Sequence, residues 1–172
     1  MDDRQPPLWE SIPKVDAISA EQAASFAVLR RGQVEDDRLP HDRGIQLDSG
    51  VMGQRRGLNS ALARRAVTQI GDVWVVLGSG YLALVIVAGG AVCTEIEFVV
   101  EKGTVTWTSH DGDGIVHGLV PDGVTEVTLI DSDDASVSVL VTDNVYGARL
   151  AGCLSSLRFT GPAGNVELGP WS

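Results

Sequence analysis

Hydrophobic and polar positions follow two different rhythms in this chain, and the rhythm changes near residue 71. Ahead of that point apolar residues are scattered among arginine pairs. Beyond it, short β-branched runs alternate with Gly, Asp and Pro. The first rhythm predicts helices and loops, the second an all-β domain. Residues 73–77 and 81–87 are apolar on both faces and are joined by Gly78-Ser79-Gly80, the pattern of a hairpin covered on both sides. Residues 104–108 alternate Thr with Val105 and Trp107, a half-buried strand. Residues 115–120 and 124–130 flank Pro121-Asp122-Gly123 and predict a second hairpin. Pro presets φ there, Asp bonds its own backbone and Gly takes the left-handed position. Strands follow at 136–141, at 145–150 after the turn Asp143-Asn144, at 154–160, and near 166–168 after Gly161-Pro162-Ala163-Gly164. Asp131, Ser132, Asp133 and Asp134 read as a solvated hairpin tip. About eight strands at this spacing predict a sandwich or small barrel. Residues 94–102 fit either a strand or one or two helical turns.

The N-terminal rhythm is helical in places. Ser19 with Gln22 three residues later forms a capping box, and Arg30 and Arg31 complement the dipole at the far end, before Gly32. Residues 33–57 mix acids and bases with Pro40 and several Gly, and read as loop. Asn59 or Ser60 caps a second, shorter helix through Leu62, Ala63 and Ala66. The organisation that follows is an extended lead-in at 1–18, a helical and loop extension at 19–70, and a β domain at 71–172. The fold class is mainly β: an antiparallel β-sandwich, immunoglobulin-like in size, with an N-terminal helical extension.

Composition sharpens this. With 172 residues, 44% of them apolar, the chain can bury a core without help from metals or disulfides. Its net charge of −10 is unevenly placed. Residues 1–65 carry ten basic and ten acidic side chains, whereas residues 66–172 carry three basic and thirteen acidic ones. An acidic body repels phosphate backbones and anionic lipid, so neither nucleic acid nor a membrane surface is an expected partner. The Arg pairs at 30/31, 55/56 and 64/65 are offset by neighbouring carboxylates and have no interleaved aromatics. The uncharged stretch 73–94 is long enough to cross a bilayer, yet its five Gly and Ser residues and Val-rich composition fit two strands and a turn, so no membrane insertion is expected. The first residues show neither the basic start nor the apolar run of a signal peptide. The expectation is a cytoplasmic protein, with export or the cell envelope as the alternative.

Candidate chemistry is thin. His110 and His117 flank Asp111-Gly112-Asp113-Gly114, where hairpin geometry could gather two rings and two carboxylates. The spacing is not that of a zinc site, and the calcium-loop pattern fails because Val116 stands where it needs Gly. No nucleophile elbow is present, since Gly78-Ser79-Gly80 is too short. Gly112 and Gly114 precede no helix bearing a Lys and so form no phosphate cradle. Cys93 and Cys153 lack metal-ligand spacing. They could pair, closing a loop of about 60 residues at roughly 4 kcal/mol of stabilisation, or remain buried thiols. No cofactor is implied.

Several segments carry a family resemblance: Trp74-Val75-Val76-Leu77-Gly78, Gly118-Leu119-Val120-Pro121-Asp122-Gly123-Val124, Asn144-Val145-Tyr146 and Phe159-Thr160-Gly161-Pro162. With Leu29-Arg30-Arg31 and Asp37-Arg38-Leu39-Pro40 ahead of them, they resemble a family of uncharacterised bacterial proteins over about residues 26–168. The resemblance implies a shared fold. It also implies a Pro at the position of Leu77 and a cysteine near Leu82 able to pair with Cys93, and this chain has neither. The family supplies no activity and no functional residues.

The expected role is therefore a non-catalytic binding or structural module acting on a protein partner through a sheet face, an edge strand or loops, with homo-oligomerisation open. The contact is expected at His110, Asp111, Asp113, His117 and Asp122. The alternatives are a hydrolase-type or metal-dependent enzyme using His117 and Asp113, and a regulatory domain whose N-terminal helices are displaced by a partner.

Overall fold

A computed structural model of the chain describes residues 11–87, 89–110 and 113–171. Their architecture is mainly β, with eleven strands in three antiparallel sheets. The first sheet has the order β1(Arg64–Thr68), β2(Gly71–Leu77), β3(Tyr81–Ile86), β4(Gly90–Glu95). A middle sheet has the order β5(Thr104–His110), β6(Asp113–Leu119), β9(Val145–Leu150). The outer sheet runs β11(Gly164–Leu168), β10(Leu154–Gly161), β7(Glu126–Asp131), β8(Ser136–Leu140). Five short α-helices accompany them: α1(Ala20–Ser25), α2(Ala27–Arg30), α3(His41–Ser49), α4(Val51–Arg56) and α5(Ile96–Lys102).

Side-chain alternation explains how the sheets stack. On β6 and β9, Val116, Tyr146, Ala148 and Leu150 project one way and share a core with Val127, Leu129 and Leu157 of the outer sheet. Leu119 and Val145 project the other way, into a core with Val73, Val75, Leu77 and Leu84 of the first sheet. The far face of the first sheet, Trp74, Val76, Ala83 and Val85, is covered by Leu47 of α3 and by Leu58. The helices α3 and α4, the first sheet, the middle sheet and the outer sheet thus form successive layers. Strands β2 and β3 lie between two cores, as their continuous apolar runs predict. Each fully buried Leu or Val there contributes about 1.5–3 kcal/mol relative to exposure.

Two glycines permit the close approaches. A Cβ at Gly118 would lie 2.1 Å from the Tyr146 hydroxyl and 2.2 Å from the Thr104 carbonyl oxygen, so Tyr146 can cross the middle sheet and donate to that carbonyl at 3.1 Å. At Gly147 a Cβ would meet Thr68 Oγ1 at 2.7 Å and the His117 ring at 3.0 Å, and its absence lets β1 pack against β9.

Several expectations are corrected. The capping box of Ser19 and Gln22 is present, but the helix it opens breaks at Phe26, whose backbone is extended and whose ring is fully buried. Residues 33–57 hold α3 and α4 instead of a loop; their faces are mostly polar, so no apolar period announces them. The expected helix through Leu62, Ala63 and Ala66 is a single 3-10 turn, Ser60–Leu62, followed by β1. Because β1 pairs with β2, a boundary at residue 71 would cut a hairpin. Pro121-Asp122-Gly123 does make a turn, with Gly123 at φ 87°, but β6 and β7 belong to different sheets and it is a crossover instead of a hairpin tip. Residues 94–102 divide into the end of β4 and α5. The described part of the lead-in docks: the Ile12 and Val15 N–H groups donate to the carbonyls of Gln54 and Gly57.

Candidate functional site

The residues singled out by sequence do not converge. His110 and Asp113 are cross-strand partners at one end of the β5–β6 hairpin. Asp111 lies outside the described residues. Asp122 sits beyond the opposite end of β6, roughly 20 Å away at the rise of a β-strand. His117 is four residues from Asp113 along β6, about 13 Å, too far for a direct hydrogen bond. Among the described residues no group of three or more His, Cys, Asp or Glu side chains could hold a metal ion. Cys93, on β4, and Cys153, in the loop between β9 and β10, are free thiols. Burial pushes the Cys93 thiol up to about 11, while Cys153 is exposed.

Asp122 is a fastening of the fold. Its Oδ1 accepts from the Ala27 N–H at 2.7 Å and from Asn144 Nδ2 at 2.8 Å, and its Oδ2 pairs with Arg30. Asn144, held in the left-handed region at φ 67°, accepts from the Val28 N–H through its Oδ1 at 3.0 Å. Together they cap α2 and tie the N-terminal segment to the crossover turns. Burial opposes ionisation of Asp122, but the bonds from Asn144, Arg30 and Ala27 outweigh it and hold its carboxyl below the usual range.

A second fastening was not singled out by sequence. Asp37 is fully buried and receives both Arg31 guanidinium nitrogens, at 2.6 and 2.7 Å, together with the backbone N–H groups of Val34 and Arg65. Burial raises its pKa and these donors lower it; the donors win, bringing it to about 2. Arg31 also donates to the Arg65 carbonyl, so the outer edge of β1 is covered by the N-terminal segment. A buried Asp beside paired arginines is the pattern that signals such a clamp, and Arg31 with Asp37 was legible as charge balance only.

The open part of the molecule lies elsewhere. The first and middle sheets meet at Leu119 and Val145 and part toward Ile115 and Arg149, leaving a cleft of about 510 Å³. Ile70, Ile86, Val87 and Ile115 supply apolar wall; Thr106, Asp72, His117 and Arg149 supply polar groups. His117 is 6% exposed, and burial lowers its pKa, which leaves the ring neutral at pH 7. It has no hydrogen-bond partner among the described residues. Asp72 is engaged by Arg65 at 2.7 Å. Arg149 is exposed and has no carboxylate partner among the described residues.

A different kind of opening is the β8 edge of the outer sheet. Strand β8 pairs with β7 on one side only. It contains no charged residue, and Val137 and Leu140 are 40% and 64% exposed. Charge, Pro or a bulge ordinarily blunts such an edge, and β8 has none of them.

No family model, no curated protein and no solved structure matches this chain. Among the described residues no helix is long and apolar enough to cross a membrane.

Proposed function

We propose that the chain is a non-catalytic binding module that engages a protein partner by adding an extended segment of that partner to the edge of β8. The observation that carries this reading is the uncharged, one-sided strand β8 with Val137 and Leu140 exposed on it. Unpaired backbone groups along such an edge supply the main-chain hydrogen bonds of strand addition, and alternate side chains supply selectivity. The acidic tips at both ends of β8, Asp133 and Asp134 before it and Asp143 after it, favour a partner segment with basic ends.

An enzymatic reading through His117 and Asp113 draws no support from their separation along β6. Displacement of the N-terminal helices is likewise disfavoured, because Phe26, Val28 and Leu29 belong to the core shared with the first sheet.

The test places a photo-crosslinking residue at Ser138 in cells and compares the wild-type background with Val137→Lys/Leu140→Lys. A discrete adduct with one protein, lost in the lysine variant while its melting temperature stays within a few degrees, is the expected outcome. An adduct that persists undiminished in the lysine variant, or no adduct in either, overturns the reading.

A further inference from the structure

We propose that the cleft between the first and middle sheets is a binding site for a small organic monocarboxylate with an apolar body. Its volume of about 510 Å³ is that of a small-molecule pocket, and its walls are aliphatic with a few polar groups. The charge pattern selects the ligand's head. Residues 66–172 hold only three basic side chains, Lys102, Arg149 and Arg158. Arg158 is paired with Glu167 at 2.9 Å, and Lys102 closes the last turn of α5, where it complements the helix dipole. Arg149 alone stands at the cleft, and it has no counter-ion among the described residues. The nearby carboxylate, Asp72, is neutralised by Arg65. One unpaired guanidinium in an otherwise acidic surface matches one carboxylate through a bidentate pair. Polyanions such as nucleotides are disfavoured by the net charge of −10.

The apolar body follows from the walls. A carboxylate held at Arg149 directs the rest of the ligand between Ile115 of the middle sheet and Ile86 of the first. The Thr106 hydroxyl and the neutral His117 ring can donate to or accept from the ligand inside the cleft. This site is at the junction of the first two sheets and is independent of the β8 edge, so either reading can fail alone.

The experiment titrates octanoate and 1-octanol, both below any micellar concentration, into the full chain and follows backbone amide shifts by NMR. Octanoate is expected to perturb residues of β5, β6 and the start of β2 and to bind at least tenfold more tightly than 1-octanol. Arg149→Gln is expected to abolish that preference, whereas Arg158→Gln, which removes another exposed arginine elsewhere, is expected to keep it. Unchanged melting temperatures for both variants establish that each is folded. Absence of octanoate binding, equal binding of the two ligands, a preference that survives Arg149→Gln, or one lost equally in Arg158→Gln overturns the proposal.

Discussion

The N-terminal fastenings and the inter-sheet cleft use the same residue types for opposite ends. Around Asp37 and Asp122 the carboxylates are paired on both oxygens: Arg31 to Asp37, Arg30 to Asp122, Asn144 between Asp122 and Val28. At the cleft, Arg149 and His117 stand without partners among the described residues. Polar groups that are buried and fully bonded hold a fold together, because leaving any one of them unpaired has a large cost. Polar groups left open beside apolar walls hold little and are available to a ligand. The arginine-rich, charge-balanced half of the sequence is therefore the structural one, and the sparse cation of the acidic half is the accessible one.

The comparison breaks first at Asp37. Replacing it by Ala strands the Arg31 guanidinium and the N–H groups of Val34 and Arg65, and a loss of about 3–5 kcal/mol is expected in urea denaturation. A loss below about 1 kcal/mol would mean that the clamp is ornamental. The same carboxylate sharpens the comparison through pH. Its pKa falls from 3.8 to about 2 on folding, so it stabilises the protein fully above pH 4 and ceases to as the pH drops toward 2. The loss on acidification attributable to it is about 2 kcal/mol, and it should vanish from the pH profile of Asp37→Asn.

How far the sequence foretold all this depends on the kind of signal. Strands β2 and β3 were legible because continuous Val and Leu runs with Gly between them leave little choice. The capping box at Ser19 was legible because its chemistry is local. Helices α3 and α4 were not, since they bury little more than Leu47 and Gly53 and owe their place to packing on Trp74 and Val76. Pro121-Asp122-Gly123 is legible as a turn but not as a crossover, because turn chemistry fixes the reversal of the chain and not the sheet that the next strand joins. Asp122 drew attention as a surface residue because its partners, Ala27, Arg30 and Asn144, are distant in sequence. Gly118 and Gly147, glycines inside strands, were the available hints that other groups approach there. Arg149 could have been found from the charge count alone, as one of three cations among thirteen acids in residues 66–172.

One substitution made at two arginines tests the central contrast most directly: the free energies of unfolding of Arg31→Gln and Arg149→Gln, measured side by side in urea. Arg31→Gln should lose about 3 kcal/mol or more, because it leaves the buried Asp37 carboxylate without its counter-ion. Arg149→Gln should stay within about 0.5 kcal/mol of wild type, as an exposed side chain without a partner among the described residues does. Equal losses at the two positions, or a larger one at Arg149, would contradict the division of the molecule into a fastened half and an open cleft.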